Sequence, residues 1–240
     1  MPFVVLLFWQ TCLQMISWSG TRLYWILLLI LLNILLKPSY IIVYVISLPV
    51  TAFIQNRYFL KSIFVSMFAS SLLFLQYYHQ YLMSEKHDDS NTVIISPFSF
   101  YMHWNGVSDS MILTILLFAI SLLLSFALPI YVLIKKNIME FGLLFSTITM
   151  VAALLIGILL EESGSRATHG NFFWQIYASA FVFFLSTITE VLPELSKKPI
   201  YERRCGIRLY KLNAYQVLLL LHLTFGCLYI LRLLISQEYF

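Results

Sequence analysis

The sequence predicts an all-α polytopic membrane bundle of about eight transmembrane helices. Of the 240 residues, 60% are hydrophobic and only 11% are charged, which is far more apolar than an ordinary soluble domain. The apolar residues fall into runs, several of them long enough for a bilayer-spanning helix of about 20 residues. The basic residues are confined to short connections between these runs, which is typical of membrane topology. We expect a single transmembrane domain over 1–240.

Three shorter apolar runs come first and five longer ones follow. The short runs predict helices near 3–17, 23–36 and 40–54, and Lys37-Pro38-Ser39 separates the second from the third. Proline inside a helix removes a hydrogen bond and clashes with the preceding turn, so a helical hairpin is favoured there. The long runs predict helices near 59–82, 110–134, 138–160, 172–192 and 212–235. The total falls to six or seven spans if the short runs are interfacial or re-entrant.

The distribution of lysine and arginine predicts the orientation, because cytoplasmic loops carry the excess of basic residues. The connection 193–211 is the most basic one, and we expect it to be cytoplasmic and to contact anionic lipid or a protein partner. Its basic residues are Lys197, Lys198, Arg203, Arg204, Arg208 and Lys211. The loops 83–109 and 161–171 are then non-cytoplasmic. We expect an integral protein of the plasma (inner) membrane. The sequence has no stripe of basic residues interleaved with aromatic residues, so it does not suggest nucleic-acid binding.

The most polar stretch outside the basic loop is 161–174, which predicts the functional site. Glu161 and Glu162 are expected to end a helix, where acidic residues oppose the helix dipole and do not stabilise it. Arg166 suits the capture of phosphate or carboxylate, and His169 can transfer protons near neutral pH. Asn171 suits the N-cap of a helix beginning at Phe172.

Two interpretations of this stretch stay open. The arginine, the histidine and the free amides at a helix N-terminus together favour an anion site, for a lipid phosphate or a lipid-linked sugar. Alternatively, Arg166 bridges Glu161 and Glu162 in a purely structural cluster.

The aromatic segment 97–106 is too short to span and is expected to lie in the membrane interface. It either anchors the loop or covers the 161–174 turn, and it would bring His103 and Trp104 to the same site. Several histidines and acids fall on the predicted outer side, but no pair has a metal-ligand spacing such as HExxH, and we expect no metal. The residues do not indicate any cofactor.

Three functions follow, in order of preference. The first is a non-catalytic subunit of an envelope membrane complex that handles or translocates a lipid-linked or secreted product. The second is an outer-face transferase or hydrolase acting on a lipid-linked phosphate-containing substrate, with Glu161 or Glu162 as base, His169 as acid–base partner and Arg166 on the phosphate. The third is a small transporter that uses His222, an ionisable residue near the middle of the last helix.

Overall fold

The computed structural model describes residues 2–79, 93–98, 110–136, 140–162, 171–195, 200–204, 207–211 and 213–236. Most of this part of the chain is helical, which confirms the helical class. The helices are α1 (Pro2–Ile16), α2 (Gly20–Leu36), α3 (Ser39–Ile54), α4 (Phe59–Tyr77), α5 (Met111–Ser125), α6 (Ala127–Lys135), α7 (Phe141–Leu159), α8 (Trp174–Leu195) and α9 (Ala214–Ser236). The strands are β1 (Val93–Ile95), β2 (Leu160–Glu162), β3 (Ile200–Arg204) and β4 (Ile207–Lys211).

Helix length limits how many of these helices can cross a bilayer. Within the described residues, α4, α7 and α8 are long and apolar enough, and α5 with α6 makes a fourth if the bent pair is one span. Helix α9 is assessed only over Ala214–Leu228, which is shorter than a span. Helices α1 to α3 have 15 to 17 residues and measure about 22 to 26 Å, less than the ~30 Å hydrocarbon core. The structure therefore supports three to four spans, and the expected eight are not confirmed.

The helix expected over 110–134 is broken. Its two halves, α5 and α6, meet at Phe126 and are bent by 65°. Pro129 lies in the first turn of α6 and explains the break, since proline has no N–H to donate and its ring clashes with the carbonyl group four residues earlier. The prediction of one continuous helix here was wrong because it was based on hydropathy alone.

Two short antiparallel ladders replace predicted helix and loop. Helix α7 ends at Leu159, and Leu160 is extended, with φ −108° and ψ 138°. Strand β2 pairs with β1, with Glu161 opposite Ile94, so the prediction that Glu161 and Glu162 end a helix was wrong. Within the predicted basic loop, β3 pairs with β4.

The structure separates into two compact units, and the first contains residues 1–115 and 138–186. Helix α3 lies at its centre and packs against α4 and α7. Tyr44 is fully buried there. Its ring packs edge-on against the Phe145 ring, with the two ring centres 5.8 Å apart. The Tyr44 hydroxyl is also hydrogen-bonded to Thr11 Oγ1 at 2.9 Å. Helices α1, α3 and α7 are thus joined through one aromatic cluster.

The turns between α1 and α2 and between α3 and α4 share one end of this unit. The rings of Trp18 and Tyr58 are 5.3 Å apart, and Lys61 Nζ lies 4.8 Å from the centre of the Trp18 ring. Arg22 donates hydrogen bonds to the carbonyl oxygens of Leu13 and Ser17. These carbonyl groups belong to the last turn of α1 and to the turn that follows it, so a cation closes this helix where the dipole favours one.

The second unit contains residues 116–137 and 187–240. Helix α9 begins with a capping box: the Asn213 side chain accepts from the Gln216 N–H, and the Gln216 side chain accepts from the Asn213 N–H, both at 2.9 Å. Tyr131 on α6 meets Tyr215 on α9 with ring centres 5.1 Å apart. Lys136 forms an ion pair with Glu194 at 3.6 Å. The start of α9 is therefore fixed by specific polar and aromatic contacts.

Gly157 permits a very close approach between α7 and the chain that leads into α8. A Cβ atom at Gly157 would lie 2.6 Å from Ile176 Cδ1 and 2.9 Å from the Phe172 carbonyl oxygen. The second contact is with backbone, which cannot move aside as a side chain can. Close packing of helix backbones through small residues is typical of membrane bundles.

We expect Gly157→Ala to destabilise the first unit by roughly 1 to 3 kcal/mol, the usual cost of overpacking a core. Gly142→Ala on the same helix is the matched control, because its added Cβ would meet only Ser186 Oγ at 3.7 Å and Cys12 Sγ at 3.8 Å. Thermal unfolding in a mild detergent measures both. Equal midpoints for the two variants would show that the approach at Gly157 is not tight.

Candidate functional site

Three connections between helices meet at one end of the first unit. They are the 37–38 turn between α2 and α3, the β1 segment, and β2 with the 3₁₀ turn that precedes α8. Strand β2 and the 3₁₀ turn Asn171–Phe173 pack against each other and against the end of α7. The opposite end carries Trp18, Tyr58 and Lys61. Within the described residues, these two groups of connections lie at opposite ends of the first unit, and the predicted sidedness stays a prediction.

The β1 segment closes the end of α7. Ser96 N–H donates to the Leu159 carbonyl and Phe98 N–H donates to the Ile158 carbonyl, both at 2.9 Å. The last carbonyl groups of a helix have no partner within the helix, so this segment supplies two of the missing donors. Only 97–98 of the aromatic segment 97–106 is described, and those two residues lie along α7. The prediction that 97–106 anchors the loop or covers the site is otherwise untested.

The structure describes only part of the site predicted from 161–174. Glu161 is buried in β2, with 8% of its surface exposed, and Glu162 pairs with Val93 in the same ladder. Asn171 begins the 3₁₀ turn, and α8 begins at Trp174 and not at Phe172 as expected. Four predicted site residues lie outside the described residues: Arg166, His169, His103 and Trp104. The proposed convergence of acid, arginine and histidine therefore stays a prediction.

The predicted basic surface is described only in its backbone. Arg203, Arg204, Arg208 and Lys211 lie in the β3–β4 hairpin, and Arg203 is paired in register with Arg208. Lys197 and Lys198 lie outside the described residues. His222, the candidate for a transporter, is half-buried in α9, and its role stays a prediction.

A cleft of about 200 Å³ opens at the end where the three connections meet. The start of α1, the end of α2, and the starts of α3 and α8 form its walls. Asn33 holds two of these walls together: its side-chain amide donates to the Phe3 carbonyl at 3.2 Å and to the Leu29 carbonyl at 2.8 Å. The lining residues are Phe3, Val4, Asn33, Leu36, Lys37, Ser39, Tyr40, Trp174 and Ala178.

Lys37 is the one charged residue among those that line the cleft. Its Nζ lies 3.2 Å from the centre of the Trp174 ring, a cation–π contact that joins the α2–α3 turn to the start of α8. Partial burial lowers the pKa of the Lys37 ammonium group, since desolvation disfavours the charged form. Within the described parts of the chain, no carboxylate lies within ion-pair distance of Lys37.

No family model, curated protein or solved structure matches this chain. Its function is therefore argued from its geometry. Among the described residues, no group of three or more His, Cys, Asp or Glu side chains is placed to hold a metal ion.

Sequence reasoning did not find the cleft. It used Lys37 only as part of the break between two predicted helices, and Trp174 only as the end of the polar stretch 161–174. The one available indication was that each residue lies at the end of an apolar run. Lysine and tryptophan in such positions typically lie at the level of the lipid head groups and are candidates for contact.

We expect Ile95→Cys combined with Leu160→Cys to form a disulfide readily on mild oxidation, with the native cysteines replaced by alanine. These two residues are paired in the β1–β2 ladder, and paired residues point to the same face with Cβ atoms about 4.5 to 5.5 Å apart. Mass spectrometry after maleimide labelling counts the remaining free thiols.

Ile94→Cys with Leu160→Cys is the control, because adjacent residues in a strand point to opposite faces. Equal oxidation of the two pairs would contradict the register of this ladder.

Proposed function

We propose that this chain is a non-catalytic subunit of an envelope membrane complex that handles or translocates a lipid-linked or secreted product. The observation that supports this most directly is the combination of short and long apolar helices in the first unit. Helices α1 to α3, at about 22 to 26 Å, lie beside α4 and α7, which are long enough to cross a membrane.

The short helices expose large apolar side chains. On α2, Leu35 is 70% exposed, and Trp25 and Leu36 are also exposed. An apolar helix shorter than the hydrocarbon core adjusts by thinning the bilayer or by associating with other helices. Association with a partner subunit covers these side chains without deforming the membrane, which favours a role within a complex.

Three buried hydroxyl groups of the first unit are satisfied within their own helices. Ser47, Thr51 and Thr149 each donate from the side chain to the carbonyl group four residues earlier in the same helix, at 2.7 Å. These hydroxyl groups are satisfied locally and are not arranged around a common substrate position. This arrangement supports a scaffold role in preference to a catalytic one.

We further propose that the chain lies in the plasma membrane with 83–109 and 161–171 on the non-cytoplasmic side. The basic hairpin β3–β4 would then face the cytoplasm. Its sequence contains Arg203, Arg204, Arg208 and Lys211, and such a cluster of basic residues favours an anionic lipid surface or an acidic partner.

A photoreactive amino acid at Leu35 tests the complex. We expect it to form a discrete cross-link to one partner protein in membranes of the source organism, and the partner should retain the chain in the reciprocal purification. The control position is Met67 on α4, which is 66% exposed and lies on a helix long enough to span the membrane, where we expect lipid adducts. Lipid adducts alone at Leu35, together with a monomer in mild detergent, would reject the proposal.

A second candidate, the outer-face transferase or hydrolase, is favoured by one observation. Glu161, the candidate base, is a buried acid that follows a membrane-length helix and lies directly beside the β1 segment. If this candidate holds, Glu161→Gln abolishes phosphate release from a prenyl diphosphate in lipid nanodiscs, whereas Glu140→Gln on the exposed start of α7 does not. Equal rates for the two variants would exclude Glu161 as the base.

A further inference from the structure

We propose that the cleft at Lys37 binds the phosphate-bearing head group of a membrane lipid, with the first part of one acyl chain inside the cleft. This inference rests on the proposed function, because it specifies where a subunit that handles lipid-linked products would hold them. It depends on Lys37 and Trp174, and not on the acidic, arginine and histidine residues predicted as the site in 161–171.

The volume and the walls of the cleft fit part of a single acyl chain. Its volume of about 200 Å³ is below the usual range for a site that encloses a whole drug-sized ligand, about 300 to 1,000 Å³. Phe3, Val4, Leu36 and Ala178 give it an apolar wall. A short stretch of one acyl chain fits this space, whereas two chains side by side do not.

The positive charge of Lys37 favours a lipid head group that carries a phosphate. The Lys37 ammonium group has three donors, and the Trp174 ring covers one side of it at 3.2 Å. The described residues offer this cation no carboxylate within ion-pair distance, so a phosphate at the rim would supply the missing counter-charge. Contact with the ring holds Nζ in place before the ligand arrives, which reduces the entropy lost on binding.

Two further polar side chains bear on the occupancy of the cleft: one favours a polar ligand and the other fixes the walls. Tyr40 lines the cleft and is 1% exposed, and its hydroxyl group has no hydrogen-bond partner among the described residues. A buried donor without a partner is costly, and a polar ligand atom in the cleft would relieve that cost. Asn33 already fixes α1 against α2 through the Phe3 carbonyl, so these walls exist before the ligand binds.

The position of the cleft favours a lipid over a soluble phosphate. Trp174 is the first residue of α8, a helix long enough to cross a membrane, and tryptophan and lysine at such helix ends typically lie at the level of the lipid head groups. A lipid phosphate is concentrated at that level. The apolar walls would add nothing to the binding of a soluble phosphate.

Native mass spectrometry of the purified chain, titrated with dioleoyl phosphatidate or dioleoyl phosphatidylcholine, tests the inference. We expect the first phosphatidate to bind more tightly than the first phosphatidylcholine. Lys37→Gln should weaken the binding of phosphatidate about tenfold, the usual size of one charge-assisted contact. It should weaken the binding of phosphatidylcholine less, because that phosphate carries one negative charge and is accompanied by the choline cation. Ala178→Leu, which fills the cleft, should weaken phosphatidate without removing a charge.

Lys61→Gln is the matched control, since Lys61 also lies over a tryptophan ring but at the opposite end of the unit. An equal loss in Lys61→Gln and Lys37→Gln would show a general effect of surface charge and overturn the proposal. Displacement of the lipid by an equal concentration of glycerol 3-phosphate would also overturn the proposal, because the acyl chain would then not contribute to binding.

The assay uses the chain without its partner. If the cross-link at Leu35 fails but phosphatidate still binds, the complex is rejected and the lipid site is kept. If the cross-link forms but phosphatidate does not bind at the cleft, only the lipid site is rejected.

Discussion

The close approach at Gly157 is the contact on which the cleft in the first unit depends. With no Cβ at this position, the Phe172 carbonyl and the Ile176 side chain can come directly against α7. This places the start of α8, and therefore the Trp174 ring, beside the end of α2, where Lys37 lies. The β1–β2 ladder closes the same end of α7 from another side. The cleft exists because these backbones meet there.

Hydropathy and charge predicted the parts of the fold that depend on them. The helical class and the break at Pro38 follow from apolar runs and from proline stereochemistry, and the structure shows both. The break at Phe126 was missed although Pro129 was visible, because an uncharged run of that length outweighed one proline. The ladders were missed because they pair β1 with β2 across a long stretch of sequence, and such pairing is decided by tertiary contacts.

The candidate site was likewise predicted only in part from the sequence. Polarity alone singled out Glu161, which is in fact buried against a strand that the sequence did not predict. The cleft was out of reach because its defining pair, Lys37 and Trp174, meets only through the packing of α7 and α8. Composition identifies residues that are unusual in a membrane protein. It cannot identify ordinary residues, such as Tyr40 or Asn33, that become important through their neighbours.

The hydrogen bond from Asn33 to the Phe3 carbonyl has a practical consequence for handling this protein. It fixes the first turn of α1 at the rim of the cleft. An affinity tag or fusion partner added ahead of α1 would therefore be attached within a few residues of Phe3, which lines the cleft. A tag on α9 would instead be attached to a helix that contributes no residue to the lining of the cleft.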